Sequence, residues 1–365
     1  MKVIISGGGT GGHIFPAIAI AQELKRRDLA TDILFIGAKG RMEMEKVPQA
    51  GFDIMGLDVI GFNRTSIWKN INLPIKLIRG IYQAYTILKK FKPSIVVGVG
   101  GYASGPTVYM AQRLNIPTII QEQNSFAGKT NKLLGKQAKA ICVAYHGMDK
   151  FFHKDKIVFT GNPVRQDLME LEHKRIEAAT YFNLDPTKKT ILVMGGSLGA
   201  RTLNEMMISN AKLIESNSTI QWIWQYGKQG IGIYDQIEIG HRQVKSMPFI
   251  ERTDLAYAIA DIVLCRAGAL TISEILIAQK PAILIPSPTV AEDHQTHNAK
   301  SLSDVGAALL IKDSDASAQA IPKVIEVLYN SSLMNEMKAA QAKLAMPRAA
   351  EVIVDQIQKL SRKAA

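Results

Sequence analysis

The sequence predicts a two-lobed α/β protein in which each lobe is a doubly wound parallel sheet and the lobes meet at a cleft. Three observations carry this expectation. The chain has 365 residues, beyond the ~250–300 at which a single core stops growing. Short apolar runs alternate with helical patterns along it, as in parallel sheets covered on both faces. The order strand, glycine loop, helix occurs once at the N-terminus and again near Thr190, and that order opens a nucleotide-binding βαβ unit.

Lys2–Ser6 reads as the first strand and leads into Ser6-Gly-Gly-Gly-Thr-Gly-Gly-His13. A helical pattern follows from Phe15, with Pro16 expected in its first turn, where a missing N–H is tolerated. Further strands are expected at 33–36, 94–99, 116–121 and 140–144. The pattern restarts with a strand at 190–194, the loop Gly195-Gly-Ser-Leu-Gly-Ala200 and a helix from Arg201. Strands at 219–225, 261–265, 282–286 and 307–311 complete the second half. Gly161 and Pro163 punctuate the join, which gives lobes of 1–161 and 162–345. Ligands of open parallel sheets bind beyond the carboxyl ends of the strands, so the cleft is the expected site.

The composition, 47% hydrophobic and 21% charged, is that of an ordinary globular chain. The two cysteines, Cys142 and Cys265, lie in apolar strand-like runs and read as buried, reduced thiols. The opening MKVIISGGG has too short an apolar stretch for an export signal, which needs ~7–15 residues. No run reaches the ~18–20 apolar residues of a membrane span, so the protein is expected to be soluble or to sit on a membrane without crossing it. The net charge of +12 is unevenly placed. Residues 1–160 hold 22 Lys/Arg against 10 Asp/Glu, whereas residues 161–365 hold 22 of each. Within 59–139 the sole acid is Glu122, against 12 bases. The first lobe therefore suits an anionic partner such as phosphate or anionic lipid. A nucleic-acid partner is disfavoured, because the charge is confined to one lobe and no aromatic RNA-binding motif is present.

The first loop contains Gly7-x-Gly9-x-x-Gly12, spaced so that backbone N–H groups approach a pyrophosphate at a helix start. The second strand ends at Gly37, where an NAD-binding chain carries an acid for the ribose. Phosphate contact without NAD is the expectation. Ser197 in the second glycine loop is placed to donate to a phosphate, or to cap the turn. In Arg266-Ala-Gly-Ala-Leu-Thr-Ile-Ser-Glu274 a glycine opens another helix. Glu274 is placed to accept ribose hydroxyls or to complement the helix dipole. His13 has the pKa range of a general base. Glu122, which follows a strand and is expected to face the cleft, is a second candidate base. Glu292-Asp-His-Gln-Thr-His-Asn298 reads as a sugar-contacting loop, since Asp293, His294 and His297 lack a further partner at metal-ligand spacing. In the stretch 67–82, Trp68, Ile71, Leu73 and Ile75 interleave with Lys69, Lys76 and Arg79, which suits an anionic membrane surface. From Pro74 the pattern turns helical, with Ile75, Ile78, Tyr82 and Tyr85 on one stripe. That stripe either packs on the sheet or faces the lipid.

Six motifs in order resemble the MurG family, the bacterial peptidoglycan N-acetylglucosaminyltransferases. They are Gly8-Gly-Thr-Gly-Gly-His13, Gly100-Gly-Tyr-Ala-Ser-Gly-Pro106, Glu122-Gln-Asn124, Gly161-Asn-Pro-Val-Arg165, Gly195-Gly-Ser-Leu-Gly-Ala200 and Gly268-Ala-Leu-Thr-Ile-Ser-Glu274. The resemblance spans nearly the whole chain. It implies the GT-B fold, with a final helix (346–365) crossing back onto the first lobe. It also implies inverting transfer of GlcNAc from UDP-GlcNAc to the C4 hydroxyl of MurNAc in lipid I (undecaprenyl-pyrophosphoryl-MurNAc-pentapeptide), at the cytoplasmic face of the inner membrane, without metal or cofactor. Carried over, the residues for the donor are Thr10, Gly11, Gly12, Asn124, Arg165, Ser197, the backbone of Ile250, Ala269, Leu270, Thr271, Glu274 and Gln295. His13 and Tyr102 fall beside the acceptor diphosphate, and both His13 and Glu122 remain candidates for the base. A lipid glucosyltransferase or a UDP-GlcNAc 2-epimerase is the alternative with a similar fold. An epimerase leaves the basic Trp68 stretch unexplained.

Overall fold

Short apolar runs closed by glycine or polar residues form strands buried on both faces, and the amphipathic runs between them form the covering helices. The computed structural model describes residues 1–61, 71, 73–237, 239 and 243–362. The chain divides into two units, Met1–Arg165 with Pro347–Ala365, and Gln166–Met346.

In the first unit the order is β1 (Lys2–Ser6), α1 (Gly11–Arg27), β2 (Asp32–Ala38), α2 (Glu43–Gln49), β3 (Asp53–Leu57), α3 (Leu73–Phe91), β4 (Ile95–Gly98), α4 (Ser104–Arg113), β5 (Thr118–Glu122), α5 (Lys129–Gly135), β6 (Ala140–Val143) and β7 (Ile157–Phe159). The strands make one parallel sheet, ordered β3-β2-β1-β4-β5-β6-β7. Alternate residues feed opposite faces. Ile4, Leu34, Val96 and Ile120 pack with Ala84 and Leu88 of α3 and Val108 of α4. Val3, Ile5, Phe35 and Val97 pack with Ile14 and Ala17 of α1.

The second unit runs α6 (Arg175–Phe182), β8 (Lys189–Met194), α7 (Arg201–Ser209), α8 (Ala211–Ser216), β9 (Ile220–Gln225), β10 (Val244–Met247), α9 (Thr253–Ile259), β11 (Ile262–Cys265), α10 (Ala269–Ala278), β12 (Ala282–Leu284), α11 (His294–Ser303), β13 (Leu309–Leu310), α12 (Ala316–Leu328) and α13 (Ser331–Leu344). Its parallel sheet is ordered β10-β9-β8-β11-β12-β13. Trp222 and Trp224 fill its core, and the Trp224 indole N–H donates to Asn204 Oδ1 at 3.1 Å.

The last helix, α14 (Ala349–Arg362), belongs to the first unit and lies on α1. Its Ile353, Val354 and Ile357 are fully buried in the α1-side core, each contributing ~1.5–3 kcal/mol. Arg27 fixes it further, donating to Asp355 at 2.5 Å and to the Glu351 carbonyl at 3.0 Å. Beneath, burial pushes the Glu23 carboxyl up, but hydrogen bonds and charge from Arg26 and Arg27 outweigh it and hold Glu23 below the usual range.

Both expected lobes are parallel α/β sheets, as the fold class requires, and both cysteines are buried and unpaired. Two expectations are corrected. The short strands β3, β7 and β10 are additional and lie at sheet edges; β7 (Ile157–Phe159) is apolar but only three residues long, while Asp53 and Gly56 break up β3 and Lys245 and Ser246 break up β10. The first helix starts at Gly11, not Phe15, because the Thr10 carbonyl already accepts from the N–H of both His13 and Ile14. Pro16 therefore stands inside the helix.

Lys280 follows α10 and is mostly buried, donating to the Ala260 carbonyl at 2.8 Å. Burial pushes its pKa down to about 8, whereas an unfolded lysine titrates near ~10.4. The unfolded chain thus binds a proton that the folded chain resists. The cost to stability is absent above about pH 10.4, grows as the pH falls, and is complete below about pH 8. Lys280→Met is expected to stabilise the protein at pH 7 by ~1–2 kcal/mol after the loss of one hydrogen bond, with the gain shrinking toward pH 10. Thermal unfolding at both pH values checks this; a lower Tm at pH 7 contradicts it.

Candidate active site

In each sheet the strand order reverses once, between β1 and β4 and between β8 and β11. At such a switch point the connections pass to opposite faces of the sheet, and there open α/β sheets bind their ligands.

In the first unit the β1–α1 and β4–α4 loops touch backbone to backbone. Gly8 donates to the Gly100 carbonyl at 3.2 Å. A Cβ on Gly101, which has φ +84°, would stand 2.1 Å from the Gly8 oxygen, so only glycine fits. The three amides at the start of the fingerprint are all occupied: Gly7 donates to Ile36, Gly8 to Gly100, and Gly9 to the carboxylate of Glu43 at 2.8 Å. This corrects the expectation that those glycines offer N–H groups to a phosphate. The amides left without an intrahelical acceptor are those at the start of α1, on Thr10, Gly11 and Gly12.

The His13 ring lies over Gly100, where a Cβ would meet its Cδ2 at 2.6 Å. Its Nδ1 is 3.0 Å from the Thr10 hydroxyl. A hydroxyl can donate or accept, so this contact survives a change of proton at the other ring nitrogen. Tyr102 is half-exposed, with its ring on Gly61 and its edge near Gly9.

Glu122 is corrected as a cleft-facing acid. It is 2% exposed, and its two oxygens accept from the Asn124 amide (3.1 Å) and side chain (3.3 Å), the Gly128 amide (3.1 Å) and Asn131 Nδ2 (2.9 Å). Four donors fill the lone-pair sites of a carboxylate. Burial still leaves its carboxyl above the usual range. Asn124 is thereby held against Glu122. Gln123 reaches the Val99 carbonyl at 2.7 Å and supports the loop carrying Gly100, while Asn162 donates to the Gln123 carbonyl at 3.0 Å. Arg165 lies over the Phe15 ring, 5.4 Å from its centroid, and lines a cavity of about 220 Å³ with Gln22, Lys46 and Gln49.

In the second unit the 195–200 loop carries Gly199 at φ +92°, where a Cβ would stand 2.1 Å from the Tyr226 oxygen. Ser197 is part-exposed on it, and its carbonyl accepts from Lys228 at 3.2 Å. Gln225 ties the site together: it donates to the Gly196 carbonyl at 2.7 Å and accepts from the Ile250 amide at 3.3 Å. Ala269, Leu270 and Thr271 form the first turn of α10, opened by Gly268. Glu274 is buried one turn further on and accepts from Tyr257 at 3.2 Å. The Gln295 side-chain oxygen, Oε1, accepts from the Ser287 amide at 2.9 Å. Just before it, Glu292 (φ 56°) and Asp293 (φ 49°) hold left-handed backbone, strain of ~1–3 kcal/mol apiece.

Sequence reasoning missed Glu43, Gln123, Gln225 and the pair Arg266–Asp313. Arg266 donates to the Ile285 carbonyl at 3.1 Å and to Asp313, and Asp313 accepts from Thr202 at 3.1 Å. Each makes at least one bond to a group 20 or more residues away, which the sequence does not display.

The α3 stripe does not pack on the sheet. Ile75 is 67% exposed, Ile78 69% and Tyr82 69%, with Ile71, Leu77 and Tyr85 also exposed. Gly80, Ala84, Ile87 and Leu88 form the inward face. Leu73 and Lys76 are half-buried, and Arg79 is exposed, 3.7 Å from Asp58. Trp68 and Lys69 lie outside the described residues. No helix among the described residues is long and apolar enough to cross a membrane.

Two parallel-sheet units with helix starts at their switch points are the arrangement of a nucleotide-binding α/β protein, and comparison gives the family. The chain belongs to glycosyltransferase family 28: the model of the family's N-terminal domain matches residues 3–143, and that of its C-terminal domain matches residues 190–353. It is 49% identical over 369 residues to the UDP-N-acetylglucosamine--N-acetylmuramyl-(pentapeptide) pyrophosphoryl-undecaprenol N-acetylglucosamine transferase of Bacteroides fragilis, covering 99% of this chain and 96% of that protein. The Flavobacterium psychrophilum protein of the same name is 49% identical, with 98% and 97% covered. Among solved structures it is similar to Acinetobacter baumannii MurG, at 31% identity and TM-score 0.76, over 98% of this chain and 99% of that one. A UDP-GlcNAc 2-epimerase from Neisseria meningitidis shares the fold alone, at 14% identity and TM-score 0.70, over 98% of this chain and 100% of that one.

Glu122→Gln replaces a four-fold acceptor by one oxygen and an amide that faces N–H donors. The expected loss is ~2–4 kcal/mol of stability, seen as a lower Tm. An unchanged Tm would show that the carboxylate does not hold this loop.

Proposed function

We propose that this protein transfers GlcNAc from UDP-GlcNAc to the C4 hydroxyl of MurNAc in lipid I, with inversion at the anomeric carbon, giving lipid II and UDP for peptidoglycan synthesis. The observation that carries the reading is the 49% identity, over essentially the whole of both chains, to proteins bearing that name. The epimerase likeness is one of fold at 14% identity, so the transferase reading is preferred.

His13 is the general base in this reading. Its Nε2 takes the C4 proton as the hydroxyl oxygen bonds to the anomeric carbon, the bond from that carbon to the UDP oxygen breaks, and UDP leaves with the electron pair. Thr10 holds the opposite ring nitrogen throughout. Glu122 is left to fix its loop, since its lone pairs are already filled. Thr10, Gly11 and Gly12, which the resemblance gives to the donor, are read here on the acceptor side: their amides, with Tyr102 beside them, receive the acceptor diphosphate at the start of α1. Ser197 and the first turn of α10, at Ala269, Leu270 and Thr271, receive the donor diphosphate. Glu274, buried near the start of α10 beside Tyr257, takes the ribose, and the backbone at Ile250 takes the uracil. Asn124, Arg165 and Gln295 complete the donor contacts.

The membrane contact is the outer face of α3. Exposed Ile75, Ile78 and Tyr82 beside Lys76 and Arg79 enter the headgroup layer at the cytoplasmic face of the membrane, each base adding ~1 kcal/mol on anionic lipid.

Incubating the protein with labelled UDP-GlcNAc and a lipid I analogue is expected to yield a labelled lipid product. His13→Ala should lower kcat by ~10²–10⁴-fold while calorimetric UDP-GlcNAc affinity stays the same. No labelled lipid with the unaltered protein rejects the assignment, and a fully active His13→Ala rejects the base. Ile75→Asp with Ile78→Asp should reduce co-sedimentation with anionic vesicles and leave UDP-GlcNAc binding intact; undiminished sedimentation rejects α3 as the anchor.

A further inference from the structure

Glu43 is a buried acid with an unusual setting. It is 1% exposed at the start of α2, and among the described residues no cation pairs with it. Its oxygens accept from two backbone amides, Gly9 at 2.8 Å and Ala38 at 2.9 Å. Two glycines make room for it. A Cβ on Gly8 would stand 2.2 Å from its carboxyl carbon, and a Cβ on Gly37 would stand 2.5 Å from its Cγ. The carboxylate thus lies where the fingerprint glycines would otherwise admit a phosphate, and a second anion cannot share the place.

The bond to Gly9 is the last fixed point before Thr10, whose carbonyl starts α1 and whose hydroxyl meets His13. We propose that Glu43 is a positioning residue for the transfer reaction: through Gly9 it sets the place of the free amides of Thr10, Gly11 and Gly12 and the direction of the His13 ring, and it confines an anionic ligand to the helix start. This inference rests on the reading of His13 and α1 as the acceptor side. Glu43 touches no reacting atom in it.

The test uses the full chain with Glu43→Gln, Glu43→Ala and the double variant Glu43→Gln/His13→Ala. Glu43→Gln keeps one acceptor oxygen and turns an amide onto the other donor. A displacement of the His13 ring by ~1 Å is expected to lower kcat by ~10²-fold, with UDP-GlcNAc affinity unchanged and Tm lowered, since one buried N–H donor then faces an amide as it does in Glu122→Gln. Adding the change to His13→Ala should cost little more, because the two act through one ring. Amide hydrogen exchange should rise in residues 7–13 and at Ala38, the two places whose amides Glu43 accepts from, and not in the rest of the first unit. Unchanged turnover, a full additive loss in the double variant, or exchange rising throughout the first unit overturns the proposal, the last because it marks a general structural acid. Should the unaltered protein fail to make a labelled lipid, the reaction assignment falls, while the exchange pattern of Glu43→Gln and Glu43→Ala still decides whether Glu43 sets the helix start.

Discussion

Backbone packed on backbone is the constraint on which both sites rest. At the first switch point Gly101 meets the Gly8 carbonyl, and in the second unit Gly199 lies against Tyr226 and Gly227 at distances that exclude any side chain. Such contacts fix the loops without side chains between them, which leaves the helix starts open above the strand ends. Any Cβ at Gly101 or Gly199 would separate the loops and move α1 or α7 with them. The glycines therefore do more by allowing close approach than by presenting their own amides, since those of Gly7, Gly8 and Gly9 are occupied.

The charge pattern follows the same logic. Residues 1–160 contain 10 acids, yet Glu23, Glu43 and Glu122 are each 1–2% exposed and satisfied from within. Glu23 meets two arginines, while Glu43 and Glu122 meet only N–H donors. Turning these three acids inward adds to the excess of bases over acids at the surface of the unit. On α3 those bases flank an apolar stripe, and the combination is worth more at an anionic interface than either part alone.

Much of this was legible in the sequence, for reasons that also mark its limits. Periodicity identified α3 and its stripe, but not which face turns outward. The small residues Gly80 and Ala84, one turn apart and beside Ile87 and Leu88, mark the inward face that lies along α4. Proline reasoning put the start of α1 too late, because a carbonyl that accepts from two amides begins the helix on glycines of poor propensity. Glu122 was found as a lone acid in a basic stretch, whereas its orientation depends on Asn131 and Gly128, which only the fold brings to it. Edge strands are hard to read alone: β7 is only three residues long, and Lys245 and Ser246 interrupt the apolar run of β10.

The absent ribose acid is the most instructive case. Gly37, one residue before the end of β2, stands where an NAD-binding chain places a carboxylate, and its lack argues against NAD from sequence alone. The structure supplies the physical reason. A carboxylate is present at that strand end, but it arrives from α2 as Glu43 and points at the loop amides, filling the space over Gly37. An acid on β2 itself would clash with it and add a second buried charge. The same carboxylate closes the lower part of the loop to a diphosphate, so the motif that advertises a dinucleotide site is converted into a rigid mount for the helix start and for His13. One buried side chain thus separates this lobe from the dinucleotide-binding lobes that it matches in strand order and glycine spacing.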